Sequence, residues 1–252
     1  MALADDGLAP QTIKSYLSAV QSMQLSLRLP PPRDQSSLPI LKRVLDGLIR
    51  DKSLGELDTA ASPDSMVYWA IATTAFFGFF RLGELLVEAE TLYNSALHLS
   101  WGDVAINDQA AATMVKFHLR RSKCDQFGTG ADVLLRRSGC QLCPVAAILA
   151  YIKARADTQG AFFVDNNKVP ITKSKFVAKV RDALKAAGYP EDQFAGHSIH
   201  IGAATTAALA GIEDSTIQTL GRWHSAAFLR YICTPHDHLA AITASLARSN
   251  PQ

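Results

Sequence analysis

The stretch that most narrows what this chain can fold into is Gly202-Ala203-Ala204-Thr205-Thr206-Ala207-Ala208. Seven residues with almost no side-chain bulk sit in a helical run, so other backbone can approach this helix closely. The surrounding sequence, Phe194 to Ile232, reads as three short helices with polar residues at their starts. The first runs from His197-Ser198 to Gly211, a residue suited to a left-handed helix end. The second begins near Glu213, with Asp214 and Ser215 as alternative caps, and closes at Gly221. Arg222-Trp223-His224-Ser225 leads into the third, which ends near Tyr231. A phenol, two cations and several histidines thus gather around small-residue helices. Such a set suits an anionic ligand better than a purely structural role.

His197-Ser198-Ile199-His200, Gly202-Ala203-Ala204-Thr205-Thr206, Leu220-Gly221-Arg222 and Tyr231 resemble, in that order, the C-terminal catalytic half of the tyrosine recombinase (phage integrase) family. Gly-Arg-Trp before the tyrosine is similar to members carried by eukaryotic mobile elements. Far upstream, Phe77-Gly78-Phe79-Phe80-Arg81-Leu82-Gly83-Glu84-Leu85 resembles the family's first arginine box. Together the two boxes span roughly Ser62 to Ile232.

Composition is that of an ordinary globular protein: 252 residues, 48% apolar and 19% charged. No uninterrupted apolar run of membrane-spanning length is present. MALADDGLAP lacks the features of a secretory signal, and four cysteines in a chain this long suggest no disulfide framework. An intracellular protein is expected, nuclear if the host is eukaryotic. The net charge of +2 is uninformative, but its distribution is not. Segment 116–137 sets six Lys/Arg against Asp125 and Asp132, and segment 168–185 sets six against Asp182. Two such basic faces suit a phosphate-backbone partner, although a single charge run is more often a solvated face.

Along the chain, Ile13, Tyr16, Leu17, Val20 and Leu27 form one helical stripe, ended by Pro30-Pro31-Pro32. Ile40, Leu41, Val44, Leu45, Leu48 and Ile49 form another. The resemblance implies that residues 1–55 are a partial, shortened helical arm that clamps DNA, joined by 51–61 to a catalytic domain at 62–252. Ser62-Pro63 opens a helix that reaches Phe76, Phe77, Phe79 and Phe80. Arg81 follows, to be neutralised by Glu84 or to face an anion. From Leu97 the period becomes two. Leu97, Leu99 and Trp101 predict a first strand, Thr113 to Arg121 a second and Ala131 to Arg136 a third, with a hairpin turn at Asp125–Gly130. Ala161 to Val164 predicts a short strand, and Lys173 to Ala187 an amphipathic helix. Cys140 and Cys143 form a lone C-x-x-C pair with no second pair nearby, which a cysteine buried at a helix start explains. The predicted fold is mainly α, with a small three-stranded antiparallel sheet.

The resemblance implies that Tyr231 attacks a DNA phosphodiester, forming a 3′-phosphotyrosine and releasing a 5′-hydroxyl, with no metal and no nucleotide cofactor. It makes Arg81 the first arginine, His197 the first histidine and Lys123 the general acid, with Lys116 as the alternative. Two positions depart from the pattern. His200 stands where the second arginine belongs, and Arg222, followed by Trp223, occupies the later histidine-or-tryptophan position. Imidazole is mostly neutral above its pKa of ~6.5, so acidification toward pH 6 is expected to charge His200 and help catalysis. Lys116, Arg120, Arg121, Lys173, Lys175 and Lys179 are the candidate DNA contacts. Double-stranded DNA is the expected partner, with a tetramer on DNA implied by the resemblance. Two alternatives stand beside a recombinase: a DNA-binding protein in which catalysis has faded, and a metal-binding protein using His197, His200, His224, His236 and His238.

Overall fold

The computed structural model describes residues 63–108, 111–120, 130–138, 142–186, 191–225, 228–229 and 232. The expected helical arm at 1–55 lies outside the described residues. Six helices are present among them: α1 (Pro63–Phe77), α2 (Leu82–Leu85), α3 (Pro144–Arg155), α4 (Lys173–Ala186), α5 (Ser198–Leu209) and α6 (Asp214–Leu220). One sheet joins β1 (Val104–Ile106), β2 (Met114–Leu119) and β3 (Ala131–Arg136) as an antiparallel meander, order β1-β2-β3.

Helix α1 is the centre of the body. Val67, Ala70, Ile71, Ala72, Thr73, Thr74 and Ala75 are all buried, so it has no solvent face over its middle turns. It packs against α3 and against α5. The α5 side is the small-residue segment, where Ala203, Ala204, Thr205 and Thr206 are buried. The missing side-chain bulk there is what lets the buried faces of the two helices lie together.

Sheet register follows from alternation. Val115, Phe117 and Leu119 of β2 point inward and pair with Leu135, Val133 and Ala131 of β3, while Lys116 and His118 lie on the outer face. Inside, Phe80 meets Phe117 edge-on at 5.6 Å, Phe117 meets Phe162 at 5.7 Å, and Phe162 meets Tyr151 of α3 at 5.9 Å. This row of rings ties the sheet to α3 and to the turn after α1, and Arg81 is the next residue in that turn.

Two predicted strands form differently. The first strand lies at 104–106, not at 97–101, and Leu97 is 46% exposed. The Asp103 carboxylate accepts from Ser100 N at 2.9 Å and winds Trp101–Asp103 into a 3₁₀ turn, so alternation around Trp101 never becomes a ladder. The segment 161–164 makes only isolated bridges, Ala161 with Ser100 and Val164 with Pro170. A side chain stands in for the missing strand partner. Tyr151 Oη donates to Phe162 O at 2.8 Å and accepts from Val164 N at 2.9 Å.

Candidate functional site

Two helix ends of the same design build the site. At the end of α1, Phe79 N donates to Phe76 O at 3.2 Å and Phe80 N to Ala75 O at 2.9 Å, the paired bonds of a Schellman end. The residue in the left-handed position is Phe79, φ 51, where glycine is usual. At the end of α6, Arg222 N donates to Thr219 O at 3.1 Å and Trp223 N to Gln218 O at 3.0 Å, with Arg222 left-handed at φ 54. In both, the following aromatic ring folds back over the preceding glycine. A Cβ on Gly78 would lie 2.2 Å from the Phe80 ring, and one on Gly221 would lie 1.6 Å from the Trp223 ring. Glycine is required at 78 and 221 because a ring lies on it.

Arg222 bolts the two ends together. Its Nη1 donates to Gly78 O and Leu220 O, both at 3.1 Å, and its Nη2 donates to Phe79 O at 2.8 Å. The same Nη2 reaches Glu84 Oε2 at 2.9 Å, and the guanidinium carbon lies 5.0 Å from the Phe80 ring centre. Glu84 is also held by Arg81, whose Nη1 lies 3.2 Å from Oε1 and whose backbone N donates to Oε2 at 2.9 Å. One carboxylate, its side chain 6% exposed, thus serves two guanidinium groups and fixes the start of α2. The Arg81 side chain is 23% exposed, and its guanidinium carbon lies 5.9 Å from the Trp223 ring centre.

His200, on the first turn of α5, packs against Trp223 with ring centres 4.7 Å apart and is 3% exposed. Burial pushes its pKa down to about 3, helped by the charges of Arg81 and Arg222 and opposed by a hydrogen bond involving the Phe79 backbone. Acidification to pH 6 therefore leaves His200 neutral, contrary to the expectation from an ordinary imidazole. His197 stands at the N-cap of α5, near enough to His200 to act on its charge, and burial lowers its own pKa as well.

The fold therefore brings Arg81 together with His200, Arg222 and Trp223 across more than 100 residues of sequence, and adds Glu84. Arg222 commits both terminal nitrogens to carbonyl oxygens and to Glu84, so it acts as a clamp; its Nε has no partner among the described residues. Of the two fates considered for Arg81, the structure shows the pair with Glu84, with the side chain 23% exposed. Tyr231, Lys123 and Arg121 lie outside the described residues. So does most of the third expected helix.

Each of four candidate DNA contacts is met by a carboxylate. Lys116 lies 3.1 Å from Asp132, which also takes His118 at 2.7 Å, and Arg120 lies 2.7 Å from Asp103. Lys173 pairs with Glu88, and Lys175 with Glu90 and, at 3.9 Å, Asp165. Lys179 lies further along α4. Cys143 is buried and caps α3, its Sγ accepting from Ala146 N at 3.5 Å and Ser138 N at 3.3 Å. Among the described residues no group of three or more His, Cys, Asp or Glu is placed to hold a metal ion, and no helix is long and apolar enough to cross a membrane. Cys140, His236 and His238 lie outside them.

Sequence reasoning missed the doubling of the glycine–aromatic turn. The signal was present, because Gly78-Phe79-Phe80 and Gly221-Arg222-Trp223 share one spacing. It also missed that Glu84 has two cationic partners, since the second comes from 138 residues away.

No family model and no curated protein matches the chain in sequence. Solved structures do match in fold. The crystal structure of XerA recombinase aligns at 19% identity and a TM-score of 0.53, over 88% of this chain and 67% of that one. XerH site-specific recombinase, in its pre-cleavage complex with difH substrate, aligns at 13% identity and 0.52, covering 88% and 55%. The XerH post-cleavage complex with palindromic difH aligns at 13% and 0.56, covering 86% and 56%. The chain thus spans between 55% and 67% of these recombinases. Its fold is that of the tyrosine recombinase catalytic domain.

Proposed function

We propose that this chain is a DNA-binding, tyrosine recombinase-like strand transferase whose catalysis is weakened at one position. The observation that carries the reading is the convergence of the Arg81 box and the His197–Trp223 segment around the Glu84 carboxylate and the Trp223 ring, within a recombinase fold. In this reading Tyr231 Oη attacks phosphorus, the P–O5′ bond breaks, and Lys123 gives the leaving oxygen its proton. Arg81 meets the charge that grows on the non-bridging oxygens, and His197 assists proton transfer at the nucleophile. Residues 62–252 form the catalytic domain, and 1–55 contribute a DNA-clamping arm. Assembly as a tetramer on DNA, a nuclear site of action and an origin in a eukaryotic mobile element belong to the same reading.

A second reading has its own support. With His200 neutral and Arg222 committed to carbonyls and Glu84, two of the expected cations contribute little positive charge, and removal of one preorganised donor typically costs ~10²–10³ in rate. A protein that binds DNA without cutting it fits this arrangement.

Suicide duplexes, nicked beside the scissile phosphate and drawn from a randomised library, separate the two. The first reading expects a covalent protein–DNA adduct on selected members, absent in Tyr231→Phe although DNA binding persists. It also expects a higher adduct yield from His200→Arg, which restores a fixed cation. DNA binding with no adduct from either the unmodified or the arginine protein establishes the second reading.

A further inference from the structure

The start of α4 is built against helix electrostatics. A helix N-terminus carries partial positive charge and favours acidic side chains, yet α4 has no acid in its first turn and places Lys173 and Lys175 there. Local needs are met without them: Thr172 Oγ1 accepts from Lys175 N at 3.1 Å, and Lys173 N donates to Val87 O at 3.0 Å. The missing acids come from elsewhere in the chain. Glu88 and Glu90 follow the strand-like bridge between Val87 and Thr172 and pair with Lys173 and Lys175. Glu90 is the main reason that the Lys175 pKa is raised.

Resting on the DNA-binding reading above, we propose that the Glu88–Glu90 segment is an internal competitor for DNA phosphate. Its two carboxylates occupy the cations at the head of α4 and must be displaced before a phosphate backbone can use them. The arrangement can be displaced readily. Glu88 is 68% exposed, Lys175 44%, Glu90 43% and Lys173 31%, and solvent-exposed ion pairs contribute little to stability. A phosphate backbone offers the lysines the same chemistry with many more charges, and its binding releases counterions. The segment therefore lowers affinity for isolated or poorly placed phosphates, and yields where a continuous backbone is seated.

The test is fluorescence anisotropy with a labelled duplex of arbitrary sequence, using the whole chain across 50–200 mM salt. Glu88→Gln with Glu90→Gln should tighten binding about three- to tenfold at low salt. It should steepen the slope of log affinity against log salt by up to ~0.9 for each further phosphate that the freed lysines neutralise. Glu191→Gln with Asp192→Asn makes the same charge change near the other end of α4, and should move affinity less than twofold. In a Lys173→Gln, Lys175→Gln background the Glu88 and Glu90 changes should have no further effect. Equal tightening by both acid pairs, or an undiminished effect without the lysines, overturns the competitor while leaving DNA binding intact. Failure of every protein to bind the duplex removes the DNA-binding reading, and the competitor with it.

Discussion

At the scale of single residues, Gly221 and His200 carry the sharpest expectations. Gly221 has φ −83, which alanine adopts freely, so only the Trp223 ring opposes a side chain there. Gly221→Ala should therefore cost about 1–3 kcal/mol, the range for overpacking, and shift the tryptophan emission as the ring is displaced. Gly211, with φ +77 and nothing within 4 Å of where a Cβ would stand, gives the contrast. Alanine there should cost about 1 kcal/mol through backbone strain and leave the emission alone. His200 sets a pH dependence. Its folded pKa of about 3 lies below the ordinary ~6.5, so between those values the unfolded chain binds the proton and the folded chain does not. Stability is retained above pH 6.5 and lost as pH falls toward 3. From pH 7 to 5 the loss from this group is about 2 kcal/mol. Urea titrations should show a shallower pH dependence for His200→Gln, because the amide has no proton to gain.

At the scale of elements, the paired helix ends depend on Arg222. Arg222→Met removes bonds to Gly78 O and Phe79 O and leaves Glu84, nearly buried, with Arg81 alone. Breaking a buried pair from one side costs about 3–5 kcal/mol, and the expected loss in a denaturation experiment is of that order. Arg222→Met with Glu84→Gln should recover part of it, since no lone carboxylate then remains. Most elements were legible because each rests on local chemistry. Alternation in Val115, Phe117 and Leu119 set β2, and Gly211 stopped α5 through its left-handed φ. The first strand was misplaced because the Asp103 carboxylate, a local polar competitor, outweighed the alternation near Trp101. The site was legible as two boxes but not in its wiring. Phe79, left-handed at φ 51, has its carbonyl held by a guanidinium 143 residues away, and no window of sequence holds both.

At the scale of the whole molecule, α1 links the parts. It holds α5 through a seam of small residues and packs on α3, while the row of rings from Phe80 to Tyr151 sets where Arg81 begins. Substituting Ala204, fully buried on α5, with leucine should force α5 outward, costing about 1–3 kcal/mol. A calorimetric scan should register the loss in thermal stability. The Arg222 bolt has a consequence for how the molecule comes into being. Its bond to Gly78 spans 144 residues, so the ends of α1 and α6 cannot be joined until Arg222 has been synthesised. During synthesis α1 can settle against α3 and the sheet while the turn at Phe79 waits for its partner. A pairing so distant in sequence closes late and slowly. The Glu84 carboxylate, already paired locally with Arg81, therefore gains its second guanidinium only once α6 has arrived.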